Sequence, residues 1–241
     1  MSVSGKTILV TGAGKGIGRA IAVMAAKRGA NVVALSRSQP DLDALAAETG
    51  ARTIRVDLAD AQAARSAADA AMPADLLVNC AGTNILEPFL ETQVESFDAI
   101  QAINVRAPLI VSQVYAKHRI AAGGGGSIVN VSSIASFNGF ANHASYSASK
   151  GAIDGLTRVM TCELGRHGIR VNAVNPGVTL TALAAEAWTD PAKSGPMLLR
   201  TPRGKFGTPE EVAEVVLFLL SDAAAMVNGV TLPIDGGLMA V

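Results

Sequence analysis

A tyrosine and a lysine four residues apart, with a serine upstream of them, are the residues in this chain best suited to chemistry. Tyr146 and Lys150 are about one helical turn apart, so a helix would place the phenol and the ammonium on one face. A phenol ordinarily keeps its proton until about pH 10, and a neighbouring cation favours the phenolate. The pair could therefore donate a proton to a carbonyl oxygen. Ser133, which lies 13 residues before the tyrosine, could hydrogen-bond the same oxygen.

A glycine-rich turn near the start of the chain predicts a nucleotide site. Thr7–Thr11 is a short β-branched apolar run typical of a buried strand, and Arg19–Arg28 is typical of a helix that stops at Gly29. Glycines between a strand and a helix let the backbone approach a pyrophosphate, and the free N–H groups of the helix attract the phosphates. We therefore expect a dinucleotide to bind Gly12, Lys15, Gly16, Ile17 and Gly18.

The residues after the second strand indicate which dinucleotide binds. An acidic residue at this point would hydrogen-bond the adenosine ribose of NAD and would repel the 2′-phosphate of NADP. Here the predicted strand Asn31–Leu35 is followed by Ser36 and Arg37, and no carboxylate comes before Asp41. An arginine fork pairs well with a phosphate, and Lys15 adds a second cation nearby. We predict NADPH/NADP in preference to NAD, the alternative being that Arg37 is an ordinary solvated arginine.

Strand-like apolar runs alternate with helical stretches along most of the chain, which is typical of a parallel sheet covered by helices. The further predicted strands are Arg52–Val56, Leu76–Asn79, Ser127–Val131, Arg170–Val174 and Thr231–Ile234. The predicted fold is α/β: a single-domain, Rossmann-type, doubly wound parallel sheet of about seven strands, with residues 1–241 as one dinucleotide-binding catalytic domain. Ligands bind beyond the carboxyl ends of such strands, where the chain has Asp57, Asn79, Ser133 and Pro176-Gly177.

Composition and charge exclude several kinds of partner. Lys+Arg and Asp+Glu number 20 each, so the basic surplus of a nucleic-acid-binding protein is missing. No apolar run is long enough for a membrane helix and the first residues lack a signal-peptide core, so we expect a cytoplasmic protein with no membrane partner. The three histidines are widely spaced and predict no metal site. Cys80 and Cys162 lie in apolar surroundings and are expected to be buried, reduced thiols.

Motifs along essentially the whole chain match one protein family, in that family's order. They are Thr11-Gly12-x-x-x-Gly16-Ile17-Gly18, Asp57-Leu58, Asn79-Cys80-Ala81-Gly82, Asn104-Val105, Val131-Ser132-Ser133, Tyr146-Ser147-Ala148-Ser149-Lys150 and Pro176-Gly177. In these motifs the chain resembles the classical short-chain dehydrogenase/reductase family, which usually has a second asparagine in place of Cys80. It is most similar to the dicarbonyl/L-xylulose reductase (carbonyl reductase) branch, through Val33–Asp43, Asn142-His143, Ala187–Pro191 and Gly204-Lys205-Phe206.

The resemblance implies an NADP-dependent oxidoreductase with a catalytic set of Asn104, Ser133, Tyr146 and Lys150. In this set Tyr146 is the general acid of carbonyl reduction, Lys150 assists it and holds the nicotinamide ribose, and Ser133 orients the carbonyl. Asn104 is expected where a helix is interrupted, fixing a water molecule in a proton relay through Lys150. Hydride passes from NADPH to the carbonyl carbon, so the protein mainly positions and polarises the reactants.

The same resemblance implies the remaining contacts to the cofactor. Around the adenine and its ribose we expect Asp57, Leu58, Asn79, Ala81 and Gly82. Around the nicotinamide and the pyrophosphate we expect Tyr146, Lys150, Pro176, Gly177, Thr179 and Thr181. For the two threonines the alternative is that they cap a helix beginning near Leu183.

A segment at about residues 182–206 is predicted to be a substrate loop or lid. Trp188, the only tryptophan, would cover the substrate there, or would anchor the core or an interface. His143 would contact a substrate hydroxyl, or would simply be exposed. The run Val212–Leu220 is apolar all round, which predicts a buried helix, and the resemblance implies that it lies in a subunit interface of a homotetramer.

The function expected from these features is NADPH-dependent reduction of a small carbonyl, an L-xylulose-like ketose or an α-dicarbonyl, to the alcohol. One alternative is a polyol or alcohol dehydrogenase working in the oxidative direction. Another is a 3-oxoacyl carrier-protein reductase, for which a basic patch is available at Lys193, Arg200, Arg203 and Lys205. A non-enzymatic NADPH-binding sensor or structural module is also possible, although it would not need the intact proton-transfer residues.

Overall fold

A parallel β-sheet forms the centre of the molecule, as the alternation of apolar runs predicts. The structure is a computed structural model and describes residues 2–181 and 188–241. Within this part of the chain the strands are β1 (Thr7–Thr11), β2 (Asn31–Ser36), β3 (Arg52–Arg55), β4 (Leu76–Asn79), β5 (Gly126–Val131), β6 (Ile169–Pro176) and β7 (Thr231–Ile234). They form one seven-stranded sheet in the order β3-β2-β1-β4-β5-β6-β7, and every neighbouring pair is parallel. The predicted fold class is confirmed.

Helices connect the strands and cover both faces of the sheet. The described α-helices are α1 (Gly16–Lys27), α2 (Gln39–Thr49), α3 (Ala61–Ala70), α4 (Val94–Gln101), α5 (Ala107–Ala121), α6 (Ala144–Leu164), α7 (Pro191–Arg200) and α8 (Pro209–Leu220). None of them combines the length and the apolar character that crossing a membrane requires. Helix α1 ends at the predicted place, because Gly29 adopts a φ of 81° that stops a helix.

Alternating side chains of the strands divide the core into two apolar layers. In β1, Ile8 and Val10 pack on the face covered by α1, α2 and α8, whereas Leu9 packs on the face covered by α3 and α5. This division follows from strand geometry, since successive side chains point to opposite sides of a sheet. Strands that are buried on both sides need apolar residues at nearly every position, as the runs in β1 and β2 have.

The apolar helix α8 is buried largely within its own chain. Thr208 and Glu211 form a capping box at its start, where Pro209 occupies the first turn. Val212, Val216 and Leu217 then lie in the core layer that α8 shares with α1. Packing inside one chain thus accounts for most of the apolar character of this helix, and the homotetramer remains a prediction.

The two cysteines differ in exposure, contrary to the expectation that both are buried. Cys80 is half-buried at the end of β4, whereas Cys162 is exposed. The prediction for Cys162 was wrong because apolar neighbours in sequence do not define a helix face. Met160 and Leu164 point towards the core layer, while Cys162 lies between them on the outer side of α6.

Part of the predicted substrate loop lies outside the described residues. Residues 182–187, which include the expected helix start near Leu183, belong to this part. The described remainder of the loop contains Trp188 and helix α7, which begins at Pro191 after Asp190 caps it by accepting from the Ala192 N–H at 2.9 Å.

The different surroundings of the two thiols predict different reactivity. Burial raises the pKa of Cys80 to about 12, with Lys150 opposing this shift only in part. Because the thiolate is the reactive form, Cys80 should be almost entirely un-ionised and unreactive at pH 8. We expect iodoacetamide at pH 8 to label Cys162 and to leave Cys80 unmodified, as measured by peptide mass spectrometry. The variant Cys162→Ser should take up almost no label. Labelling of Cys80 at a rate similar to that of Cys162 would contradict this account.

Candidate active site

A cleft of about 780 Å³ lies along the carboxyl edge of the sheet, where a doubly wound fold binds its ligand. Most of the residues predicted from the sequence line this cleft: Gly12, Lys15, Ile17, Gly18, Ser36, Arg37, Asp57, Leu58, Ala81, Gly82, Ser133, His143, Tyr146, Lys150, Pro176, Gly177, Thr179, Thr181 and Trp188. Gly16, Asn79 and Asn104 are not among the lining residues. The carboxyl edge of the sheet thus brings together residues that are far apart in the sequence.

The glycine turn after β1 is packed so closely that side chains could not replace its glycines. Gly12 has a φ of 68°, and a Cβ there would lie 2.7 Å from the Cα of Ala81. A Cβ on Gly18 would collide with the carbonyl of Gly12. The hydroxyl of Thr11 strengthens the junction, because its Oγ1 accepts from the N–H groups of Cys80 and Ala81, both at 3.1 Å. The ends of β1 and β4 are therefore held together at the floor of the cleft.

The N-terminus of α1 opens into the cleft and can hold phosphate. Lys15 occupies the N-cap position in an extended conformation, and a lysine side chain has no acceptor with which to cap the N–H groups of the first turn. These N–H groups and the positive end of the helix dipole favour an anion. With the glycine turn beside it, this helix start fits the pyrophosphate of a dinucleotide.

Positive charge lies beyond the end of β2. Arg37 is exposed and lines the cleft together with Ser36 and Ser38. The ammonium of Lys15 lies 3.4 Å from Oδ2 of Asp41, and its side chain is 80% exposed. Such an exposed ion pair contributes little to stability, so Lys15 can leave it at small cost. Arg37 forms no ion pair with a carboxylate among the described residues, so its guanidinium is more directly available to a phosphate.

The turn after β3 bounds one side of the cleft. Asp57 is exposed there and its Oδ1 accepts from the N–H of Ala59 at 2.9 Å, while Leu58 is buried beneath it. This hydrogen bond fixes the carboxylate in a tight turn and leaves its other oxygen as an acceptor. Asn79, by contrast, points inwards: its Nδ2 donates to Ser112 Oγ at 2.9 Å and to Asn130 Oδ1 at 2.8 Å.

Tyr146 and Lys150 share one face of α6, as their spacing predicts. Lys150 is only 5% exposed, and its Nζ donates to the carbonyl of Val131 at 2.8 Å. The same Nζ lies 5.4 Å from the centre of the Tyr146 ring. The buried ammonium thus places a fixed positive charge beside the phenol.

Ser133 lies two residues beyond β5 and faces the same cleft. Its Oγ accepts from the N–H of Ala135 at 3.1 Å, so its own hydrogen is available to a ligand. Its carbonyl is held in turn by Ser136 Oγ at 2.8 Å and by Asn175 Nδ2 at 3.1 Å. The backbone that carries the serine hydroxyl is therefore anchored from two directions.

Asn104 lies at a π-helical turn, Ala102–Arg106, between α4 and α5, which confirms the predicted interruption of a helix. Its amide clamps the backbone of Thr83, accepting from the N–H at 2.8 Å and donating to the carbonyl at 2.9 Å. It also donates to Ser149 Oγ at 3.0 Å, and Ser149 bonds to the carbonyl of Tyr146 at 2.6 Å. The side chain thus positions two walls of the cleft rather than lining it.

Aromatic residues form the outer rim of the cleft. His143 meets Tyr146 edge to face at 6.1 Å between ring centres, and its Nδ1 lies 2.7 Å from the carbonyl of Ala141. A carbonyl only accepts, so Nδ1 carries the hydrogen and Nε2 of the neutral ring is an acceptor. Trp188, which also lines the cleft, packs against Phe206 with 5.1 Å between ring centres.

Sequence reasoning missed several lining residues. They are Ser38, Asp41, Val56, Cys80, Thr83, Asn84, Ile103, Val131 and Ser132. Val56, Val131 and Ser132 directly adjoin predicted strand ends and could have been found from that position alone. Ile103 reaches the cleft only through the π-helical turn, which no local pattern indicates. Among the described residues, no group of three or more His, Cys, Asp or Glu side chains is placed to hold a metal ion.

Comparison with known proteins identifies the family. A family model described as enoyl-(acyl carrier protein) reductase matches residues 12–239. L-xylulose reductase from Bos taurus is 50% identical over 241 residues, covering 100% of this chain and 99% of the relative. Carbonyl reductase (NADPH) 2 from Sus scrofa is 44% identical over 241 residues, with coverage of 100% and 99%.

A solved structure with the same fold holds a dinucleotide. Gluconate 5-dehydrogenase from Burkholderia cenocepacia J2315, in complex with NADP and tartrate, is 33% identical and has a TM-score of 0.94, covering 100% of this chain and 97% of that one. Identity of this extent over full lengths, with the same fold, is decisive for the family. The chain belongs to the short-chain dehydrogenase/reductase family of oxidoreductases.

Proposed function

We propose that this protein reduces a small carbonyl compound, an L-xylulose-like ketose or an α-dicarbonyl, to the alcohol with NADPH. The observation that carries the proposal is the convergence of Tyr146, Lys150 and Ser133 on the cleft that begins at the glycine turn. The names of the relatives, L-xylulose reductase and NADPH carbonyl reductase, support the same substrate class.

In this proposal the protein orients the substrate and moves the proton. NADPH, when bound, supplies the hydride that the carbonyl carbon accepts. Tyr146 donates a proton to the carbonyl oxygen, and Ser133 Oγ donates a hydrogen bond to the same oxygen. The buried ammonium of Lys150 stabilises the negative charge that the phenol acquires. Asn104 keeps the walls in place and, through a water molecule held at the π-helical turn, would let Lys150 exchange protons with solvent.

Different residues along the cleft would bind different parts of the cofactor. The glycine turn and the start of α1 (Gly12 to Gly18) would hold the pyrophosphate, and Arg37 with Ser36 and Lys15 the 2′-phosphate. Asp57 and Leu58 would bound the adenine, with Ala81 and Gly82 and the backbone near Asn79 beside its ribose. At the other end we assign the nicotinamide and its ribose to Lys150, Tyr146, Pro176, Gly177, Thr179 and Thr181.

The rim of the cleft favours a small hydroxylated substrate. The acceptor nitrogen Nε2 of His143 can take a hydrogen bond from a substrate hydroxyl next to the reacting carbonyl. Trp188 and Phe206 offer an apolar cover. An α-hydroxyketone of a few carbons has both features, a hydroxyl beside the carbonyl and a compact carbon chain, whereas a diketone of similar size has the compact chain alone.

Apolar side chains on the outside of the described chain support the homotetramer. Phe89, Leu90 and Val94 are 79%, 94% and 68% exposed around the start of α4. Neighbouring exposed apolar residues of this kind are typical of surfaces that another subunit covers. Light scattering should give a tetramer, and a monomer would count against this part of the proposal.

A substrate panel tests the reaction class. We expect NADPH oxidation with pentuloses and with diketones such as diacetyl, followed at the absorbance of the reduced nicotinamide, and little turnover of acetoacetyl thioesters. Faster turnover of the thioesters would favour the carrier-protein reductase. Turnover only of alcohols with NADP would favour the oxidative dehydrogenase. No turnover of any member of the panel, with NADPH still bound, would favour a sensor or structural module.

Removing the phenol hydroxyl tests the proton donor. We expect Tyr146→Phe to lower kcat for diacetyl by about 100-fold or more, because no general acid remains. Its affinity for NADPH, measured by fluorescence titration, should stay within about threefold.

The matched control for this change is Tyr115→Phe at the only other tyrosine. Its hydroxyl donates to the carbonyl of Asp75 at 2.5 Å, and Asp75 directly precedes β4, at the amino ends of the strands. Tyr115→Phe should cost about 1 kcal/mol of stability and keep its kcat. Turnover by Tyr146→Phe at the parental rate would show that another group is the acid.

Reversing the charge at Arg37 tests cofactor choice. Arg37→Asp should raise KM for NADPH at least about tenfold and improve the use of NADH, because a carboxylate repels the 2′-phosphate and can bind a ribose hydroxyl. Lys27→Asp makes the same change of charge in the last turn of α1 and should leave both KM values unchanged. Unaltered selectivity in Arg37→Asp would assign the phosphate to Lys15 or to another group.

A further inference from the structure

A buried carboxylate behind the cleft has no part in the chemistry proposed above. Asp154 on α6 is only 4% exposed. Its Oδ2 accepts from Asn175 Nδ2 at 3.0 Å, whereas its Oδ1 is buried and has no hydrogen-bond partner among the described residues. Burying a carboxylate is unfavourable unless hydrogen bonds compensate for the lost water. Within the described part of the chain, a single hydrogen bond thus compensates for the burial of the Asp154 carboxylate.

Asn175 links this carboxylate to the catalytic serine. Its Nδ2 also lies 3.1 Å from the carbonyl oxygen of Ser133 and 3.0 Å from Ser136 Oγ. The Ser133 carbonyl and the Asp154 carboxylate can only accept hydrogen bonds. The amide must therefore turn its nitrogen, not its oxygen, towards both groups. A carboxylate at position 154 enforces this orientation of the amide.

The position of Asn175 in the fold makes this orientation relevant to the cleft. It is the last residue but one of β6 and directly precedes Pro176-Gly177, which line the nicotinamide end. The amide thus ties the end of β6 to the backbone of Ser133 beyond β5. If the Asn175 amide were flipped, its Oδ1 would face the carbonyl oxygen of Ser133. The two oxygens would repel each other, and the hydrogen bond would be lost.

We propose that Asp154 is a positioning residue for the carbonyl reduction, acting through Asn175 on Ser133. This inference rests on the function proposed above, in which Ser133 orients the substrate carbonyl. Asp154 touches neither substrate nor cofactor; it fixes the amide that holds the serine backbone. A small displacement of an orienting group slows a reaction strongly, because the reacting atoms must meet within a few tenths of an ångström.

A second buried polar residue on the same helix offers a comparison. Thr157 is fully buried one turn further along α6, where its hydroxyl donates to the carbonyl of Ile153 at 2.9 Å and accepts from Asn130 Nδ2 at 2.8 Å. Thr157 and Asn130 belong to the network around Asn79, and among the described residues none of their hydrogen bonds leads to Ser133. If Asp154 only stabilised the core, its substitution and that of Thr157 should have similar effects. An effect on Ser133 should follow only from substitution of Asp154.

The test compares three single variants in carbonyl reduction with NADPH. Asp154→Leu removes the acceptor, so we expect kcat for diacetyl to fall about 10- to 100-fold while KM for NADPH stays within about twofold. Asp154→Asn keeps an acceptor oxygen for Asn175 and should restore kcat to within about threefold of the wild type. Thr157→Val should lower Tm without a comparable loss of kcat.

Combining the change with Asn175→Ala separates positioning from general destabilisation. If Asp154 acts through Asn175, the double variant Asp154→Leu/Asn175→Ala should be no slower than Asn175→Ala alone. Wild-type kcat in Asp154→Leu, additive losses in the double variant, or an equal loss in Asp154→Asn would each overturn the inference while leaving the proposed function intact. A wild-type protein that reduces no carbonyl in the panel would overturn the proposed function, and this inference with it.

Discussion

The close approach of the ends of β1 and β4 is the constraint on which the site depends. Gly12 lies against Ala81 with no room for a side chain, and the Thr11 hydroxyl binds the backbone that follows β4. The sheet changes direction at this point, since β2 and β3 lie on one side of β1 and β4 on the other. A crevice must open where neighbouring connections run in opposite directions. The start of α1 faces into it with uncapped N–H groups, so the fold itself creates an anion site before any particular side chain is considered.

Helix α6 brings the side chains of Tyr146 and Lys150 to the same cleft as this backbone site. One face presents Tyr146 and Lys150 to the cleft, while Ser149 joins the Tyr146 carbonyl to the amide of Asn104. Further along the same helix the buried side chains of Asp154 and Thr157 form hydrogen bonds to asparagines of β6 and β5. Parallel strands that are buried on both sides rarely carry polar side chains, yet here asparagines lie inside the sheet and are bonded to the helix. These bonds join the later turns of α6 to the two strands.

The sequence predicted the fold more completely than the site. All seven predicted strands are present within two residues at each end, because apolar runs and glycine stops are local properties of the chain. The positions of Tyr146, Lys150 and the glycine turn could also be predicted. Helical spacing places the first two on one face, and the order strand, turn, helix identifies the third. The inward direction of the Asn79 amide, the clamp of Asn104 on Thr83 and the bond from Asp154 to Asn175 could not be predicted in this way. They join residues 21 or more positions apart, and such pairings depend on how elements pack rather than on any period in the sequence. The exposure of Cys162 was misjudged for a related reason, since composition around a residue does not tell which face of a helix it occupies.

In the proposed function, the phenol, the ammonium and the serine hydroxyl surround the reacting end of a nicotinamide dinucleotide that is bound at the first glycine turn. The most direct measurement is a crystal structure of the protein soaked with NADP and an unreactive carbonyl analogue. The account predicts that the carbonyl oxygen lies within hydrogen-bond distance of both Tyr146 Oη and Ser133 Oγ, with the nicotinamide ring facing the carbonyl carbon. A nicotinamide ring bound away from these two hydroxyls, or a dinucleotide that leaves the turn Gly12–Gly18 empty, would contradict it.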